Sequence, residues 1–489
     1  MTHALRLSTG GAAAAAAALL IATRWPFAPR HLYYFDNINF ALAIERFDPS
    51  LHQPQPPGYP LFVGLTRLLH LAIPSVEAVF FAAGILLAVA ALLLTRALGE
   101  RMFSPRAGWF AAWLLLFNPV FWLGGVTHQV RLSLAAGGMA VAYACWRARE
   151  TGHARWFYVA SGILAAACGF RPAMIVYLAP LLLWTGWRGR FTLRQWTAAA
   201  ALFGGIAGSW FAVTVWASGG LVAFWNLLQG YAQEQFHGSS LVYGAPAQAA
   251  GRMVEAAFVW TFLGVFSWIW ALPWLERRGV ADRGTAGFLA VAFLPAFLFH
   301  ALIHVGDPDH TLITVPLVCL LGGRTLERAR INVPAAAAAA MALNVLLWLV
   351  PPPGLARAAS ARAVRAVDRI TSATFDAIRE QQRAGPVVLI CYEGRVTWRH
   401  LSYYFPDVPL YVLHAAADAP AWLLRGRTME EPEVRDGAYV LPADATVLWV
   451  VEPPAAPSID PPAEAAGPVF RSGAGPFSFR HYRFVRGQL

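Results

Sequence analysis

Long apolar runs alternate with short arginine-rich stretches through the first 350 residues of the chain. Ala78–Thr95 carries no charge at all, and its eighteen residues match the thickness of a hydrocarbon core. Five stretches between the runs are basic: Gly99–Arg106, Arg147–Arg155, Arg188–Arg194, Glu276–Arg283 and Arg324–Arg330. Arginine clusters in short loops mark the cytoplasmic side, so an even number of spans must separate each neighbouring pair.

That parity decides the ambiguous segments. Ala107–Leu123 and Leu132–Trp146 form an outward hairpin whose turn is Thr127–Arg131. Trp156–Trp187 must cross twice, which puts Arg171-Pro172 at an outer turn instead of at membrane depth. Trp196–Trp216 leads out and Met253–Trp274 leads back. Thr285–Ile303 and Thr311–Leu321 bracket the outward turn His304–His310, and Ile331–Val350 leads out once more. Gly58–Ile73 is apolar but short, holds Arg67 and His70, and would invert the first basic loop if it spanned. It therefore reads as an extracytoplasmic or interfacial helix. Met1–Thr23 reads as a retained first helix, having no convincing signal-cleavage site. The expected fold is a polytopic α-helical membrane protein of about eleven spans, with the N-terminus in the cytoplasm and the location an inner (plasma) membrane.

The pattern changes after residue 353. Pro386–Tyr392, Pro409–Leu413 and Ala445–Val451 read as buried strands, and Arg362–Gln382 and Trp398–Phe405 as helices. This gives a small α/β extracytoplasmic domain over 354–489, beside a membrane domain over 1–353 whose first outer loop is 24–76.

Composition agrees with the pattern: 57% hydrophobic residues, 13% charged and a mean hydropathy of +0.48 exclude an ordinary soluble enzyme. The net charge of +11 comes from arginines set between apolar runs, so it does not point to nucleic acid. There is no lysine, which reads as a base-composition habit. Cys145, Cys168, Cys319 and Cys391 have neither metal nor redox spacing, and the C-terminal domain has no glycine-rich phosphate loop.

Polar chemistry collects at three places on the expected outer side, where ionisable groups near lipid call for a function. The first is the loop after helix one. From Asp36 it reads as a short amphipathic helix with Phe40, Ile44 and Phe47 on one face, flanked by Tyr34 before and by Glu45 and Asp48 after. His52-Gln53-Pro54-Gln55-Pro56-Pro57-Gly58-Tyr59-Pro60 follows. Asp36 is either a plain helix N-cap or a general base held at the membrane surface. The second place is the pair Arg131 and Arg171, which either snorkel to the interface or grip a lipid phosphate. The third is His304-Val305-Gly306-Asp307-Pro308-Asp309-His310. This turn is open to a phosphate or acceptor contact, to a metal, or to no role beyond polarity. The loop Ser218–Arg252 is long enough for a lid.

An acidic residue in the first outer loop, an amphipathic helix and a Pro-Pro-Gly-Tyr-Pro entry to an apolar helix resemble the GT-C superfamily. These membrane glycosyltransferases use polyprenyl-phosphate sugars, and include protein O-mannosyltransferases and lipid A aminoarabinose transferases. The resemblance implies Asp36 as the catalytic base acting on an acceptor hydroxyl. It implies donor-phosphate contacts from Arg171, Arg131 and His304, and substrate contacts from Tyr34, Glu45, Asp48, His52, Gln53, Tyr59, Asp307 and His310. The implied partners are a polyprenyl-phosphate sugar donor and a lipid, glycan or protein acceptor, in a membrane and without nucleic acid. Many members carry a second acidic residue beside the first, where this chain has Phe35 and Asn37. That departure leaves a divalent metal an open question, and no cofactor is firmly implied. The alternatives are a transporter or flippase, or an oligosaccharide ligase of envelope glycan assembly. Against a transporter, no internal repeat is visible in the sequence.

Overall fold

A computed structural model describes residues 9–238, 240–275, 281–391, 396–416, 419–435, 438–439, 445–451 and 470–471. Most of the basic stretch Glu276–Arg283 lies outside them, as does Tyr392 at the end of the first expected strand. The chain divides into two compact units. The first comprises residues 1–28 and 43–364, and the second residues 29–42 and 365–489.

The first unit is helical. Its helices are α1 (Thr9–Arg24), the end of α2 (Phe35–Glu45), α3 (Pro60–His70), α4 (Val76–Met102), α5 (Pro105–Phe117), α6 (Pro119–Val126), α7 (Leu132–Thr151), α8 (Ala154–Phe170) and α9 (Met174–Arg188). They continue as α10 (Leu193–Ala217), α11 (Leu221–Phe236), α12 (Ala247–Phe262), α13 (Arg283–Leu302), α14 (Val315–Arg328), α15 (Val333–Leu349) and the start of α16 (Ala361–Ala384). Each segment expected to span is helical over most of its length. Among the described residues, four helices are long and apolar enough to cross a membrane, or five if α5 and α6 count as one bent span. α8 and α15 are shorter apolar helices. α3 is the short helix expected at the interface, and the expected lid loop contains α11.

Several helices are short because the sequence breaks them. α5 and α6 meet at 56°, where Asn118 precedes Pro119. Proline has no N–H to continue the ladder and forces its predecessor out of the helical region, and Asn118 is extended at ψ 129°. The break is then repaired from both sides. Asn118 Oδ1 accepts from the N–H groups of Val120 and Phe121, while the guanidinium of Arg24 donates to the freed carbonyl of Leu116. Arg24 is wholly buried and lies 4.5 Å over the Trp122 ring, so its charge meets an aromatic face while its two terminal nitrogens donate to Thr23 and Leu116. Arg171-Pro172 makes the corresponding break between α8 and α9, as parity requires.

Small residues let the central helices approach closely. A Cβ on Gly108 of α5 would stand 2.5 Å from the carbonyl oxygen of Arg96 in α4. One on Gly323 of α14 would stand 2.5 Å from the Ala107 carbonyl oxygen. With the backbones this near, α4, α5 and α14 gain dispersion and carbonyl contacts that larger residues would exclude.

The second unit is built on a five-stranded sheet of β1 (Val387–Cys391), β2 (Leu410–Ala416), β3 (Ala419–Arg425), β6 (Thr446–Val451) and β7 (Phe470–Arg471), in the order β3-β2-β1-β6-β7. A short hairpin, β4 (Val434–Arg435) and β5 (Ala438–Tyr439), stands apart from it. β1 is central and parallel to both neighbours, with Leu389 opposite Leu410 on one side and Leu448 on the other. Its run Val-Val-Leu-Ile-Cys suits a strand buried on both faces. Phe375 and Ile378 of α16, with Leu401 and Phe405 at α17 (Trp398–Tyr404), complete the core.

Residues 29–42 belong to this unit although they lie far upstream. Leu32 N–H donates to the Tyr404 hydroxyl at 2.9 Å, Arg30 N–H donates to Asp368 at 2.7 Å, and the His31 ring meets Phe375 at 4.7 Å. The domain boundary expected at 353/354 therefore lies ahead of the change of partners, which falls inside α16 between Val364 and Arg365.

Because Gly108 has backbone on its open side, Gly108→Val should cost about 1–3 kcal/mol through overpacking. The check is the thermal midpoint of the detergent-purified protein. An unchanged midpoint would mean that the α4–α5 contact does not hold the bundle.

Candidate active site

Three breaks in the helical unit bring polar side chains together. Arg131 ends the short 3-10 turn Gln129–Arg131 between α6 and α7, Arg171 sits between α8 and α9, and His304–His310 connect α13 to the 3-10 turn Pro308–Ile313. Arg131 reaches across to that connection. Its Nη1 lies 3.1 Å from Asp309 Oδ1 and its Nη2 3.6 Å from Asp307 Oδ2. Asp309 is fully buried, so an unpaired carboxylate there would be costly, and the guanidinium of Arg131 offsets it.

The histidines are arranged by the same turn. Asp307 N–H donates to His310 Nδ1 at 3.0 Å, which leaves the proton of the neutral ring on Nε2. The His304 ring lies 5.4 Å from His310, and His300 on α13 lies 6.5 Å from His310 and 5.4 Å from Tyr177 of α9. Phe236 at the end of α11 covers His304 at 5.7 Å. Burial, reinforced by Arg131 and Arg171, pushes His304 down to about 4 and His310 well below the usual imidazole range. His128, in the turn before Arg131, is lowered by the same causes. These three connecting-loop imidazoles are neutral at pH 7.

Arg171 differs from Arg131. It is buried to 9% exposure, its guanidinium stands 5.9 Å from the Tyr59 ring, and it forms no ion pair among the described residues. Its buried Nε, like that of Arg131, has no hydrogen-bond partner, so the difference lies in the missing carboxylates. A guanidinium so placed could receive an oxyanion, which would supply the missing charge and acceptor together.

Asp307, Asp309 and His310 each offer a ligand atom within 4.8 Å of the others, a geometry that could gather a cation. The donor set does not fit one as built, since Arg131 already lies against both carboxylates.

The remaining sequence candidates divide between the units. Asp36 in the first turn of α2, and Tyr34 just before it, belong to the second unit. Glu45 is exposed at the end of α2, where Arg67 donates to the carbonyls of Ala43 and Ile44 at 2.9 and 2.8 Å. Asp48 is engaged locally: it pairs with Arg46 at 2.8 Å and accepts from Ser50 N–H, capping the turn Pro49–Leu51. Gln53 closes that turn by backbone bonds with Asp48, and His52, left-handed at φ 56°, has its ring 6.1 Å from Tyr231 of α11. Tyr59, also left-handed, starts α3 and faces Arg171.

Sequence reasoning gave no site role to His300, His128 or Tyr177, and weighed Asp309 only as part of its turn. Asp309 and His128 stood in turns already singled out, and His300 lies four residues before His304. The missing information was which turns meet.

No protein-family model matches the chain, and no curated protein matches it. Its fold, a helical bundle with a small sheet unit, is shared with solved structures of ArnT. The structure of ArnT from Cupriavidus metallidurans bound to undecaprenyl phosphate matches with a TM-score of 0.53 at 14% identity, over 84% of this chain and 87% of that one. The apo form of the same protein gives 0.54 at 14% identity, over 83% and 85%. The arabinosyltransferase EmbB from Mycobacterium smegmatis matches more loosely, with 0.45 at 15% identity over 69% of this chain and 31% of that one.

Two outcomes follow from the geometry. Arg131→Met takes the cation from the buried Asp309 carboxylate, which should cost about 3–5 kcal/mol, and adding Asp309→Leu should restore most of it. Thermal midpoints of both variants decide this. The second concerns acid. His304 is held near 4 when folded against 6.5 unfolded, so the unfolded chain binds the extra proton first as pH falls. Stability is full above about 6.5 and declines toward 4, and His304→Phe should retain more of its midpoint at pH 5. An identical decline in that variant would exclude His304 from the effect.

Proposed function

We propose that this protein transfers a sugar from a polyprenyl-phosphate donor to an extracytoplasmic acceptor hydroxyl, with Asp36 as the general base. The observation that carries the reading is the buried, uncompensated guanidinium of Arg171, in a fold shared with a protein whose structure holds undecaprenyl phosphate. In this scheme Asp36 takes the proton from the acceptor hydroxyl, and the oxygen attacks the anomeric carbon. The bond from that carbon to the phosphate oxygen breaks, and the lipid phosphate leaves with the electron pair. A single displacement of this kind inverts the anomeric centre.

Arg171 meets the phosphate before and after departure, and so stabilises the charge that grows on the leaving oxygen. The neutral His304 offers the phosphate or the sugar a hydrogen bond without adding charge, and Arg131 holds the turn that carries it. The fold shared with ArnT favours this over a transporter, as does the lack of a visible internal repeat in the sequence.

The test is a reconstituted assay with a polyprenyl-phosphate sugar. Asp36→Asn should lower kcat roughly 10²–10⁴-fold with insertion unchanged. Arg171→Gln should raise the donor KM, by about 10- to 100-fold for the loss of charge-assisted bonds. Undiminished turnover by Asp36→Asn would remove the proposed base, and an unchanged KM in Arg171→Gln would remove the proposed phosphate site.

A further inference from the structure

The same helices carry a second basic feature at their other end. α13 runs from Gly284, whose carbonyl accepts from Arg149 at 3.1 Å, to His300, a rise of roughly 24 Å. α9 likewise runs from the Arg171 turn to Arg188. Between the ends of α7 and α9 and the start of α10 lies a cavity of about 750 Å³. Arg149, Arg188 and Arg190 line it together with Trp184, Trp187 and Trp196.

Its walls are fixed. Trp196 and Phe191 pack on the buried Phe157 ring at 5.0 and 4.9 Å, and a Cβ on Gly186 would collide with Trp196. Its charge is unbalanced. No carboxylate is among the lining residues, and Arg188 and Arg190 form no ion pair among the described residues. Glu150 pairs with Arg101 and Arg147, and Asp282, which caps α13, answers Arg149 in part; neither forms an ion pair with Arg188 or Arg190.

Arg190 adds an independent sign. It is left-handed at φ 51°, in the turn after α9 closed by Phe191 N–H to the Gly186 carbonyl at 3.3 Å. Glycine suits such a position, and an arginine there costs on the order of 1 kcal/mol. A strained backbone that keeps a long cationic side chain beside a cavity points to use of that side chain.

We propose that this cavity binds the phosphodiester headgroup of an anionic phospholipid, with Arg188 and Arg190 on the phosphate and the tryptophan rings on the glycerol and upper acyl chains. Aromatic rings beside arginines at the ends of apolar helices suit the headgroup level of a bilayer. The occupant is distinct from the donor at Arg171, which lies at the far end of α9.

The test is native mass spectrometry of the purified full chain in detergent with added phosphatidylglycerol or phosphatidylcholine. Wild type should retain phosphatidylglycerol preferentially. Arg188→Gln/Arg190→Gln should lose that retention, by roughly fivefold for each arginine. Arg106→Gln/Arg155→Gln, with the same charge change outside the cavity, should keep it. Arg190→Gly removes the side chain while relieving the strained backbone, so it should fold at least as well as wild type and still bind about fivefold less. Equal retention of the two lipids, an equal fall in both double variants, or full retention by Arg190→Gly would overturn the proposal. Displacement of the lipid by millimolar inorganic phosphate would replace the lipid assignment with a free-phosphate site.

Discussion

A guanidinium with 4% of its side chain exposed cannot lie beside a carboxylate with none unless each answers the other. The contact between Arg131 and Asp309 meets that condition and ties two separate breaks of the helical bundle together. One is the turn between α6 and α7, the other the connection between α13 and α14. With those ends joined, Asp307, His304 and His310 are held in one small volume. The asymmetry of the site follows directly. Arg131 has both carboxylates and organises the turn, whereas Arg171 has neither and keeps an unanswered charge. Two arginines that look equivalent in sequence thus take opposite roles.

The breaks themselves come from simple chemistry. Asn118-Pro119 and Arg171-Pro172 each place a residue that cannot continue a helix behind one that proline pushes into extended backbone. Inside a bilayer such interruptions are tolerated only where other groups satisfy the freed backbone. Arg24 and the Asn118 side chain do so at the first break. At the second, the Arg171 N–H bonds to the Ala167 carbonyl and its own carbonyl accepts from Met174, while the side chain remains available. The uneven helix lengths follow from the same events, and explain why fewer helices have full spanning length than apolar segments suggest.

Much of this was legible in the sequence. Parity of the basic loops required a turn at Arg171 and two helices in Trp156–Trp187, and α8 and α9 are there. The run Pro386–Tyr392 read as a buried strand, and β1 within it is the centre of the sheet. What stayed hidden was association between distant segments. Nothing in Arg30-His31-Leu32 signals that it packs on α16 and α17, more than 300 residues on, because those contacts use a backbone N–H and one aromatic face. Asp48 shows the local side of the same limit. An acidic residue near a candidate base looks like chemistry, yet this one caps its own turn and pairs with Arg46, a choice made by local geometry.

With no lysine in the chain, every fixed positive charge on a side chain comes from arginine, and the environment alone decides what each does. Arg24, stacked on Trp122, closes a backbone gap. Arg131, between two carboxylates, is a strut. Arg171 and Arg190 each carry a charge with no acidic partner among the described residues, but differ in setting. Arg171 is buried beside three neutral imidazoles, where little water competes and a bound oxyanion would be held strongly. Arg190 is exposed at the mouth of a tryptophan-lined cavity, where water screens it and the rings must supply part of the hold. In the proposed reaction, a phosphate at the first setting would be stabilised as charge grows on the departing oxygen. A headgroup at the second would exchange readily, which suits an anchor in a fluid bilayer and would not suit catalysis.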